Sequence, residues 1–124
     1  MTLIKAADAP TFTIPGLTVT GLASPSRGAA ETSAWRIEIT PGSDGAAHSV
    51  DKEEIFVALR GQAVATVAGD QHHLAAGDTL IVAPGTMFTL ANPHDEPFEA
   101  VAIQPVGGLA TLPGAAPFPP PWTE

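Results

Sequence analysis

A chain of 124 residues with 44% hydrophobic and 15% charged residues can build one self-sufficient core and is not a disordered composition. Its formal charge of −8, with only five Lys and Arg, excludes a nucleic-acid surface and an anionic-membrane surface, both of which need clustered cations. The absence of cysteine removes disulfides, thiolate chemistry and Cys-ligated zinc.

Taken along the chain, residues 1–14 contain one lysine and no continuous apolar region, unlike a secretion signal, so a cytoplasmic location is expected. Phe12 to Ile14 and Leu17 to Leu22 read as two strands around Pro15-Gly16, and Ser24 to Thr32 as loop. Trp35, Ile37 and Ile39 alternate with Arg36, Glu38 and Thr40, the pattern of a strand with one buried face. After the turn residues Pro41 to Gly45 comes an apolar run from Ile55 to Leu59, closed by Gly61. Ala63, Ala65 and Val67 alternate, and Gly69-Asp70 reads as a hairpin tip before Leu74. Leu80 to Val82, Phe88 to Leu90 and Phe98 to Ile103 are three further strands, separated by Pro84-Gly85 and Asn92-Pro93. With 12 Gly and 13 Pro spread through the chain, no segment holds a helical period beyond one turn. Such spacing predicts an all-β sandwich or barrel over residues 1–104, followed by a Pro-rich tail, 105–124, packed on the barrel or on a partner with Phe118 and Trp122 as anchors.

Two glycine-framed segments carry a resemblance. The first, 42–61, runs Gly42, His48, Val50, Glu54, Gly61; the second, 77–92, runs Gly77, Ala83-Pro84-Gly85, Phe88, Asn92. In order, spacing and gap they resemble the paired motifs of the cupin superfamily, over about residues 35–103. The resemblance implies a conserved β-barrel, the double-stranded β-helix or jelly roll. It also implies a homodimer, for which the segment Phe12 to Leu22 could extend a neighbour's sheet.

In metal-dependent members, two histidines and a glutamate of the first motif and a histidine of the second hold one divalent ion. Here Val50 and Phe88 stand at two of those positions, so His48 and Glu54 alone are carried over, with His72 as a possible third ligand. No cofactor is expected; a divalent Fe, Zn, Ni or Mn ion is the alternative. Positions 48, 50 and 54 share parity on a regular strand, and Phe56, His72, Phe88 and Leu90 join them as residues lining an interior pocket. His48 and Glu54 then form a structural pair, a ligand-orienting pair or a catalytic acid–base pair. Three functions remain open on these residues. The first is a metal-poor cupin that binds a small, largely apolar molecule. The second is an enzyme of isomerase, cyclase or dioxygenase type using His48 and Glu54. The third is a structural or interaction module acting through its acidic surface or its tail.

Overall fold

The computed structural model describes all 124 residues, as eleven strands and three single turns of 3-10 helix. In chain order the strands are β1 (Thr11–Ile14), β2 (Leu17–Ala23), β3 (Thr32–Ile39), β4 (Ser49–Val50), β5 (Glu54–Arg60) and β6 (Gln62–Val67). They continue with β7 (Asp70–Ala75), β8 (Thr79–Val82), β9 (Phe88–Ala91), β10 (Phe98–Pro105) and β11 (Ala110–Thr111). Six strands form one sheet in the order β1-β2-β3-β10-β5-β8, and three form a second in the order β7-β6-β9. All pairings are antiparallel, and the two sheets close over one core as a jelly roll.

Alternation explains which residues meet inside. On β10, Phe98, Ala100, Ala102 and Gln104 are buried while the residues between them face out. The register sets Ala102 between Trp35 on β3 and Phe56 on β5, so a small side chain separates two large rings. The second sheet contributes Ala63, Ala65, Leu74, Phe88 and Leu90 to the same cluster. Gly61, at the β5–β6 turn with φ of +74°, lies against the backbone of Pro97 and Phe98 so closely that a Cβ has no room.

The tip between β6 and β7 lies one residue earlier than the sequence suggests. Val67 pairs with Asp70, so Ala68 and Gly69 make the turn, with φ of +50° and +87°. Two residues with positive φ match the hairpin turn that suits right-handed strand twist, and Ala68 carries the strain of a Cβ there. Ala68→Asn is expected to stabilise the protein by about 0.5–1 kcal/mol, seen as a higher melting temperature with an unchanged far-UV spectrum. A lower melting temperature would mean that the side chain, not φ, governs this turn.

The tail folds back onto its own barrel. β11 pairs with β4, Ala110 bridges Phe118, and Leu109 N–H donates to Asp51 Oδ1 at 2.7 Å. Trp122 meets Phe12 edge-to-face with ring centroids 6.2 Å apart, and Ser26 N–H donates to the Glu124 carbonyl at 2.8 Å. Phe118, in contrast, stays 39% exposed.

Candidate functional site

One cavity of about 620 Å³ opens into the barrel, and 14 of its 24 lining residues are hydrophobic. Its inner wall is made by the β3 residues Trp35, Ile37 and Ile39 together with Phe56, Phe88 and Leu90. Its roof is the tail, through Leu112, Phe118, Pro120, Pro121 and Trp122. No Lys or Arg lines it.

Six of the seven residues expected to line an interior pocket, His48, Val50, Glu54, Phe56, Phe88 and Leu90, line this cavity. They do not reach it along one regular strand. β4 ends at Val50, a bend carries the chain through residues 51–53, and β5 begins at Glu54. His48 is placed by a backbone bridge, its N–H donating to the Phe88 carbonyl at 3.0 Å and its carbonyl accepting from the Phe88 N–H at 2.9 Å. The two rings therefore pack, with centroids 4.5 Å apart, and Phe88 meets Phe56 edge-on at 5.8 Å. His48 Nδ1 lies 2.9 Å from the Ala46 carbonyl oxygen. A carbonyl can only accept, so Nδ1 carries the proton and Nε2 is left as the ring's acceptor.

Glu54 is 4% exposed, and its Oε1 has no hydrogen-bond partner in the chain. Burial in apolar surroundings disfavours its charged form and raises its pKa from 4.5 to about 7. The carboxyl is therefore substantially protonated at neutral pH and can donate as well as accept. No hydrogen bond or ion pair joins His48 to Glu54; the ion pair in the structure is between Arg60 and Glu99, at 3.5 Å. His48 is fastened to the Ala46 carbonyl instead, while Glu54 faces the apolar interior.

His72 is also corrected. It pairs with the inward-facing Ala65, so its parity is the inward one, yet it is exposed and does not line the cavity. β7 is the edge strand of its sheet, and Leu74 is its one buried residue. His94 sits apart, in a more open depression with Gly61, Gln62, Asp95 and Glu96. No three His, Asp or Glu side chains converge anywhere. One imidazole and one carboxylate, beside Val50 and Phe88, fall short of the three protein ligands usual for a catalytic metal, and this donor set does not fit a resident divalent ion.

Sequence reading missed Gln104. It lies on the inner face of β10, is 2% exposed and lines the cavity. Extending the β10 alternation by one residue beyond Ile103 reaches it. Of the roof residues, Phe118 and Trp122 were expected as anchors of the tail, while Leu112, Pro120 and Pro121 carried no comparable signal.

The model of the cupin domain matches residues 35–104, more than half of the chain. The chain belongs to the cupin family. No protein of curated function matches this cupin in sequence. Among solved structures it is similar to the polyketide cyclase RemF from Streptomyces resistomycificus, at 14% identity and a TM-score of 0.79, over 94% of this chain and 87% of that one. It is also similar to the salicylate 1,2-dioxygenase from Pseudoaminobacter salicylatoxidans, at 15% identity and a TM-score of 0.73. That match covers 86% of this cupin and 31% of the dioxygenase chain. A sugar phosphate isomerase of the cupin superfamily from Silicibacter pomeroyi matches at 16% identity and a TM-score of 0.69, over 82% and 68% of the two chains. At these identities the likeness is one of fold.

Proposed function

We propose that this cupin binds a small, largely apolar aromatic molecule inside its barrel, with Glu54 as the main polar contact. The observation behind this reading is the cavity itself. Its volume falls within the roughly 300–1,000 Å³ usual for ligand sites, its walls are mostly apolar, and a buried carboxyl without a partner faces it. Rings of Trp35, Phe56 and Phe88 offer faces and edges for an aromatic ligand. His48 Nε2 supplies a second polar contact nearer the mouth.

A second reading has one observation in its favour. An acid with a pKa of about 7 is suited to give and take a proton at neutral pH, so Glu54 can serve as general acid–base on the bound molecule. Of the enzyme types among the similar structures, a proton-transferring cyclase or isomerase is the one these residues support. Glu54 would protonate a carbonyl oxygen or remove an adjacent proton.

Titrating the protein with neutral aromatic probes while following tryptophan fluorescence tests the binding reading, because both tryptophans of the chain line the cavity. Saturable quenching is expected, together with a rise in melting temperature that grows with probe concentration. Filling the cavity through Val50→Trp is expected to weaken binding at least about tenfold. If no probe binds, or if the filled variant binds as well as the native protein, the barrel is not a ligand chamber.

A further inference from the structure

Gln104 is a second buried polar group in the cavity, with no part in the family motifs. Ile103 pairs with Ile55 across β10 and β5, so the next residue of each strand, Gln104 and Glu54, are neighbours on the inner face. Opposed Cβ atoms of such a pair lie about 5 Å apart. The two side chains are equally long, and both residues line the cavity. Gln104 is held in place by Gly108, whose missing side chain leaves the space that the amide occupies. Glu54 Oε1 has no partner, and the chain's side-chain hydrogen bonds leave the Gln104 amide free as well. Burying Glu54 Oε1 without a partner costs stability, and a ligand that bonds it would recover that cost while the neighbouring amide supplies a second contact.

Resting on the reading of the barrel as a ligand chamber, we propose that Gln104 and Glu54 together select an uncharged aromatic ring carrying two neighbouring oxygens, at least one of them a hydroxyl. A protonated carboxyl donates to one oxygen, and the amide carbonyl accepts from the hydroxyl. Neighbouring ring oxygens suit two polar side chains borne on residues adjacent in register. An anionic ligand is disfavoured, because no cation lines the cavity and Glu54 and Asp44 do.

The test compares naphthalene, β-naphthol, a naphthalenediol with adjacent hydroxyls and the hydroxynaphthoate anion, each titrated against the native protein by tryptophan fluorescence. The diol is expected to bind about tenfold more tightly than β-naphthol, and the anion more weakly than either. In Gln104→Met the diol-to-naphthol ratio is expected to fall to within about twofold of unity. Naphthalene binding with no advantage for the diol keeps the chamber and overturns the selection; an unchanged ratio in Gln104→Met does the same. Failure of all four probes overturns both. Should Gln104→Met not fold, the dimethyl ether of the diol decides in the native protein. Loss of the diol's advantage supports the pair, and retention overturns it.

Discussion

Glu54→Gln is expected to raise the stability of the protein by about 3 kcal/mol above neutral pH and to leave it nearly unchanged at about pH 4. The sign follows from the raised pKa. Between 4.5 and about 7 the folded state holds a proton that the unfolded state has lost, so folding becomes less favourable as pH rises through that window. Below 4.5 both states are protonated and the penalty vanishes. Above about 7 it is complete, because the folded protein must bury a carboxylate with no cation near it. Urea unfolding of both proteins at about pH 4 and about pH 8.5 measures it. An equal gain at both values would assign the effect to packing and not to charge. The same proton governs the ligand: where Glu54 must donate, affinity for an uncharged ligand falls about tenfold per pH unit once pH passes 7.

Asn92→Ala is expected to cost about 3 kcal/mol of stability without touching the cavity. Asn92 is fully buried, and its side chain donates to the carbonyls of Ile39 at 3.0 Å and Glu96 at 2.7 Å while accepting from the His94 N–H at 3.1 Å. It thus ties the end of β3 to the turn after β9 across 53 residues of sequence. Truncation orphans the Ile39 carbonyl in the interior and two half-buried backbone groups at His94 and Glu96. Asn92→Asp separates the contributions, since it keeps the acceptor and loses both donors. A loss under about 1 kcal/mol for Asn92→Ala, measured by chemical unfolding, would mean that the carbonyls find other partners.

Much of this architecture is legible from alternation. The alternating inward positions of β3 and β10 and the paired glycines of the two motifs need no tertiary information, because strand parity and turn chemistry are local. The site is legible only in part. Parity correctly turned His72 inward, but parity does not say that β7 is the edge strand of its sheet, and there the imidazole meets solvent. Proximity in the motif suggested a His48–Glu54 pair, yet a bend at residues 51–53 lies between the two, and the Ala46 carbonyl, 2.9 Å from Nδ1, bonds His48. Gln104 escaped notice because a strand was ended one residue early at a proline boundary. The roof was legible only as a tail anchored by Phe118 and Trp122: a segment rich in Pro and Gly has no periodicity to report which way its other side chains face.

That roof divides the cavity between two parts of the chain under different constraints. The walls are core residues of the two sheets, where a change in volume disturbs folding. Leu112, Phe118 and Pro121 lie outside both large sheets and are partly exposed, so substitutions there act on the chamber with little consequence for the barrel. If the barrel holds a ligand as proposed, preference for one guest over another can drift, or be redesigned, through a short external segment while the scaffold stays intact.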